Sequence, residues 1–137
     1  MAQHPLQVLF IDDDRILNMI HKAMLNKINF PSKVTFFESA EEALAYLADN
    51  KDDTSDYLIM LDINMPTMDG WEFLDELGSK WAHLTSFVVM VTSSIDQGDI
   101  TKSKDYPQVI QFIHKPFKYD HLANLKNLPQ LKPYFSS

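Results

Sequence analysis

The chain has no cysteine. Disulfides and thiolate metal sites are therefore excluded, and a reducing compartment is permitted. It also lacks any long hydrophobic run. The longest apolar stretches are about five residues, far short of the roughly 20 needed to cross a bilayer. The opening MAQHPLQVLFIDDD has neither a basic start nor a small-residue cleavage site, so it does not read as an export signal. The expectation is a cytoplasmic protein without membrane insertion. Basic charge is scarce as well: 12 Lys and Arg stand against 19 Asp and Glu, a formal net charge of -7. Gripping nucleic acid needs clustered Lys and Arg on the phosphates, so that class is disfavoured. An acidic chain suits cations or basic partner surfaces instead.

What is present fits one domain. The chain has 137 residues, 45% of them hydrophobic, enough to bury a core. Strands are expected at Leu6 to Ile11, Lys33 to Phe37, Tyr57 to Leu61, Phe87 to Val91 and Val109 to Ile113, each a β-branched or aromatic run. Between them lie helical patterns. Arg15 to Ile28 carries Ile16, Leu17, Ile20, Met24, Leu25 and Ile28 at helical spacing, and Asn29 and Pro31 stop it. Ser39 with Glu42 matches a capping box and opens a helix ending near Asn50. Trp71 to Leu77 is a short helix, Ser94 to Asp105 a weak one with few apolar residues, and Tyr119 to Leu128 the last, ended by Pro129. The core is expected over about 6–128, with 129–137 a partly ordered tail and no linker to an output domain. Three strands are apolar throughout, which fits a parallel sheet covered by helices on both faces.

In such a sheet ligands bind beyond the carboxyl ends of the strands. Strand one ends in Asp12-Asp13-Asp14, strand three in Asp62, strand four in Thr92-Ser93-Ser94 and strand five in His114-Lys115-Pro116. Gathered carboxylates repel each other until protonation or a cation compensates. A hard divalent ion with oxygen ligands is the natural partner. Asp14 reads better as a helix cap; capping does not need three acids in a row, so Asp13 points to the ion. Asp62 alone is only a turn-forming acid. Lys115 reads either as a structural ion pair or as a point charge for a phosphoryl group. Thr92 reads either as a cap or as a hydrogen-bond donor to such a group.

The segments VLFIDDD, LIMLDINMPTMDGWEFL, VVMVTSS and IHKPF, in that order, resemble the receiver domain of two-component response regulators. The resemblance covers about Gln7 to Leu128 and implies a single CheY-like receiver domain. That is a doubly wound α/β fold with a five-stranded parallel sheet in the flavodoxin-like order 2-1-3-4-5. It implies that Asp62 is the phosphoacceptor, that Asp12, Asp13, Asp62 and the Asn64 backbone carbonyl hold Mg²⁺ or Mn²⁺, and that Thr92 and Lys115 bind the phosphoryl group. Phe112 matches the family's switch aromatic, against ordinary core packing. The resemblance also implies that Asn64 and Ser94 line the route of the hydrolytic water and tune phosphate lifetime. A cis peptide bond is implied before Pro116. The implied partner is a sensor histidine kinase or a histidine phosphotransfer protein, with a downstream protein target of unstated kind and a fold able to dimerise on activation.

Three rival readings are carried. The apolar run before Asp12-Asp13-Asp14 also resembles the nucleophile motif of haloacid-dehalogenase-like phosphatases, with Asp12 attacking. That enzyme reading leaves Asp62, NMPTMDG and KPF unexplained. A phosphorelay shuttle, passing phosphate from Asp62 to another histidine, uses the same residues. An adaptor module with the same fold and no phosphorylation is disfavoured by the intact set of acids, Thr92 and Lys115.

Overall fold

A computed structural model describes residues 4–93 and 95–135. Five strands form the frame: β1 (Leu6–Ile11), β2 (Lys33–Phe37), β3 (Asp56–Asp62), β4 (Ser86–Thr92) and β5 (Val109–His114). All neighbours are parallel, in the order β2-β1-β3-β4-β5. Every residue of β1 and β3 is buried. That explains their unbroken apolar runs, because both faces are covered. The doubly wound α/β fold is as expected from the sequence.

The helices between the strands are α1 (Arg15–Lys27), α2 (Ala40–Asp49), α3 (Gly70–Lys80), α4 (Gln97–Ser103), α5 (Tyr119–Lys126) and α6 (Lys132–Phe135). Two apolar clusters flank the sheet. One gathers Leu9, Ile11, Ile59 and Leu61 with Ala43 and Leu47 of α2 and Phe73, Leu74 and Leu77 of α3. The other gathers Val8, Phe10, Leu58 and Met60 with Leu25 of α1 and Leu122 and Leu125 of α5.

Several expectations need correction. Helix α1 is turned from its apolar reading. Ile16, Ile20 and Ile28 are 70%, 52% and 40% exposed, whereas Asn18, His21 and Leu25 are the residues it buries. A polar pair occupies the inward face because polar groups of the strand ends lie beneath it, as described below. Helix α3 is longer than 71–77, since the Asp69 cap and Glu72 form a reciprocal capping box that starts it at Gly70. Helix α4 is shorter than 94–105 and buries no residue. At α2 the Ser39 hydroxyl accepts from the Glu42 N–H as expected, but the Glu42 carboxylate accepts from Glu38 N–H rather than from the cap itself.

The tail is the largest correction. Helix α5 stops at Lys126, and the chain then turns and packs back as α6. Leu131 is fully buried in the second cluster. Pro133 does not prevent this, because it lies in the first turn, where no intrahelical N–H bond is lost. The Tyr134 hydroxyl donates to Asp56 Oδ2 at 2.5 Å, and His4 Nδ1 lies 3.2 Å from Oδ1 of the same carboxylate.

Candidate functional site

Strand register brings the predicted site together. The pairing of Ile11 with Leu61 sets the next residues, Asp12 and Asp62, side by side at the carboxyl ends of β1 and β3. Asp62 pairs with Val91, one residue before Thr92, and Thr92 pairs with His114, one residue before Lys115. Four strands thus deliver two acids, a hydroxyl and a lysine to one edge.

Lys115 Nζ lies 2.8 Å from Asp12 Oδ2 and 3.3 Å from Asp62 Oδ2. Its side chain is only 13% exposed, and those of the acids are 8% and 5%. Asp12, Asp13 and Asp62 each offer a carboxylate oxygen, and these atoms lie within 4.8 Å of one another. Asp13 is the exposed member. Asp14 stands apart as the α1 cap, accepting from the Ile16 and Leu17 N–H groups.

The electrostatics follow from crowding. Burial, and then the neighbouring Asp12 charge, push the Asp62 carboxyl up to about 6; Lys115 and the Asn64 N–H pull against this shift. For Lys115, burial disfavours the ammonium, but its hydrogen bond to Asp12 and the charges of Asp12 and Asp62 outweigh burial and raise its pKa. One lysine therefore serves two buried acids, with a third acid at the rim. The oxygen-only donor set and this residual negative charge fit a hard divalent cation such as Mg²⁺ or Mn²⁺.

The loop after β3 is shaped around Asp62. Asn64 N–H reaches Asp62 Oδ1 at 3.3 Å, and Gly70 N–H donates to the Ile63 carbonyl at 2.8 Å. A Cβ on Gly70 would meet the Asp62 carbonyl oxygen at 2.7 Å and the Ile63 Cα at 3.0 Å. Only glycine lets the loop close this tightly.

Thr92 is 1% exposed, and its carbonyl accepts from the Lys115 N–H at 2.8 Å. The Lys115–Pro116 peptide bond is cis. Phe112 is half-buried and packs on the α2–α3 side of the sheet. Ser94 lies outside the described residues.

Two residues near the site were missed from sequence. Asn18 Nδ2 donates to the Asp12 carbonyl at 2.9 Å, and the Phe117 N–H donates to His21 Nε2 at 3.3 Å. Both residues are polar positions on a helix, and sequence alone reads such positions as solvent-facing. Their three-residue spacing, which puts them on one face, was the available signal.

Comparison with known proteins agrees with this geometry. The family model for the response regulator receiver domain matches residues 8–126. The probable C4-dicarboxylate response regulator DctR of Halalkalibacterium halodurans is 28% identical over 123 residues, 89% of this chain and 50% of that protein. The two-component response regulator ARR2 of Arabidopsis thaliana is 29% identical over 120 residues, 88% of this chain and 17% of that protein. The chain thus spans half or less of the length of these relatives. The crystal structure of a two-component response regulator from Cytophaga hutchinsonii superposes with a TM-score of 0.76 at 27% identity, covering 91% of this chain and 96% of that one.

Proposed function

The chain belongs to the response regulator receiver domain family, and we propose that Asp62 is its phosphoacceptor, in a single receiver domain. The observation that carries this reading is the buried Asp62 carboxylate beside Lys115, with Asp12 and Asp13 in reach of a shared cation.

The donor is a phosphohistidine on a sensor histidine kinase or histidine phosphotransfer protein. An Asp62 carboxylate oxygen attacks phosphorus, the P–N bond breaks, and the imidazole leaves and takes up a proton. The Lys115 ammonium lies where it can neutralise charge on the transferring phosphoryl oxygens, so catalysis is mainly positioning and electrostatics. Asp12, Asp13, Asp62 and the Asn64 carbonyl would hold Mg²⁺ or Mn²⁺, which when bound supplies further charge neutralisation. The product is an acyl phosphate. Water later attacks its phosphorus, the P–O bond to Asp62 breaks, and inorganic phosphate leaves. Asn64 and Ser94 tune that step. The protein is a phosphoacceptor with slow self-dephosphorylation rather than a turnover enzyme.

The readout involves Thr92 and Phe112. Thr92 bonds a phosphoryl oxygen, and Phe112 follows it inward. Helix α4 shifts with them, since it buries nothing that would hold it. The donor's docking surface is the outer face of α1, where Ile16 and Met19 are each 70% exposed and Ile20 is 52% exposed. Whether the phosphate is then read by a target or relayed to another histidine distinguishes an output regulator from a shuttle. The phosphatase reading with Asp12 as nucleophile loses support, because Asp12 is tied to Lys115 and Asp14 caps α1.

The test is intact mass after incubation with Mg²⁺ and acetyl phosphate. Wild type gains one phosphate, and Asp62→Asn or added EDTA gains none. An adduct that persists in Asp62→Asn, or none in wild type with varied donors, rejects the reading.

A further inference from the structure

The buried polar pair on α1 has a use that the phosphoacceptor mechanism leaves unassigned. Asn18 and His21 are 8% and 2% exposed. Polar groups this deep are retained only where they bond something specific. Asn18 bonds the carbonyl of Asp12, whose own N–H is held by the Phe37 carbonyl at 3.0 Å. His21 receives the N–H of Phe117, two residues past Lys115. Its ring is packed between Phe10 at 5.3 Å and Phe117 at 6.0 Å between centroids. One turn of α1 therefore grips both backbone segments that carry the 2.8 Å Asp12–Lys115 contact.

We infer that Asn18 and His21 are positioning residues that set where the Lys115 ammonium sits relative to Asp12 and Asp62. The Lys115 backbone has two holds. Its N–H is fixed to the Thr92 carbonyl on β4, and the chain beyond the cis peptide is fixed to His21. Without the second hold, the next tie from this segment to α1 is the Tyr119 hydroxyl, which donates to the Met24 carbonyl at 3.3 Å from two residues further on, and the ammonium loses its shared position. Misplacement by less than an ångström matters for a group that neutralises developing charge.

The hydrogen bond also assigns the ring's form. Because Nε2 accepts, a neutral ring carries its proton on Nδ1. Burial, ahead of the opposing Asp12 charge, lowers the ring's pKa and keeps it neutral. Nδ1–H and the Asn18 Oδ1 are the two buried side-chain atoms without a partner among the described residues. They are a donor and an acceptor one helical turn apart, complementary to each other.

The inference rests on the reading of Asp62 as phosphoacceptor, and its test separates the two. The full chain is compared as wild type, His21→Phe and His21→Gln. Phenylalanine keeps the packing and removes the acceptor; glutamine restores an acceptor oxygen. Three quantities are read: the phosphorylation rate with acetyl phosphate at saturating Mg²⁺, the Mg²⁺ affinity by calorimetry, and hydrogen exchange of the Phe117 amide. The expected result is a rate about tenfold lower in His21→Phe, with faster Phe117 exchange and Mg²⁺ affinity within about threefold of wild type. His21→Gln recovers most of the rate and the protection. A purely structural residue would lower the melting temperature and leave the rate of the folded protein unchanged. A wild-type rate in folded His21→Phe overturns the inference, as does a His21→Gln no better than His21→Phe. Unchanged Phe117 exchange overturns it even if wild type accepts no phosphate, and that last outcome rejects the Asp62 reading separately.

Discussion

Helices α1 and α4 both begin just beyond strands that end at the site, yet they are held in opposite ways. Helix α1 has 13 residues, and its cap Asp14 satisfies two N–H groups. It buries Leu25 in the second apolar cluster and bonds inward through Asn18 and His21. Helix α4 has seven residues and buries none of them. It and the turn that follows it are fastened at the surface. Lys102 Nζ sits 4.9 Å above the Trp71 ring, the Tyr106 ring lies 5.4 Å from Trp71, and the Tyr106 hydroxyl donates to Asp75 at 2.8 Å. Local stability follows buried contacts. One side of the site is a packed frame, and the other is held by surface contacts alone.

The sharpest way to break this contrast is truncation on each helix. Leu25→Ala on α1 should cost about 2–4 kcal/mol, since it opens a cavity in a packed cluster. Ile100→Ala on α4 should cost under about 1 kcal/mol. Urea unfolding of the two variants decides it, and equal losses would mean that α4 is as firmly packed as α1.

The next effect concerns the charge that the frame holds together. The Asp62 carboxyl is pushed up to about 6 from 3.8, by burial first and Asp12 second. Below its folded pKa, the native state binds more protons than the unfolded chain. Stability from this group therefore rises as pH falls from about 7 toward about 4. Asp62→Asn removes the buried charge, so it should stabilise the protein by about 1–2 kcal/mol at pH 7 and lose this part of the pH dependence. Unfolding midpoints across pH check both; a variant that keeps the wild-type slope refutes the assignment.

The smallest effect tests the surface fastening of α4. Tyr106→Phe removes the bond to Asp75 and should cost about 0.5–1 kcal/mol. Its mark is local: amide exchange speeds up in α4 and stays unchanged in α1. Equal acceleration in both helices would show that they open together.

The same contrast explains what was legible in the sequence. Strands β1 and β3 were readable because full burial leaves an unbroken apolar run. The strand-end acids, Thr92 and Lys115 were readable because the ends of parallel strands converge whatever lies between them. Helix α1 was found but turned the wrong way, because its exposed Ile16 and Ile20 look like core and its buried Asn18 and His21 look like surface. Exposed isoleucines and a buried polar pair on one helix both invert the rule that apolar residues face inward. The tail was misjudged for a different reason. Leu131 and Tyr134 lie in a stretch broken by Pro129 and Pro133 that reads as a tail, and only the fold shows that they pack with the second cluster.

That folded-back tail has a practical geometric consequence. A single carboxylate, Asp56, is shared by His4 near one end of the chain and Tyr134 near the other. Asp56 opens β3 and Asp62 closes it, so His4 and Tyr134 meet at the pole opposite the acids, roughly 20 Å away at about 3.3 Å per strand residue. A fluorophore carried at position 4 or 134 would stand clear of the acids at the other end of β3.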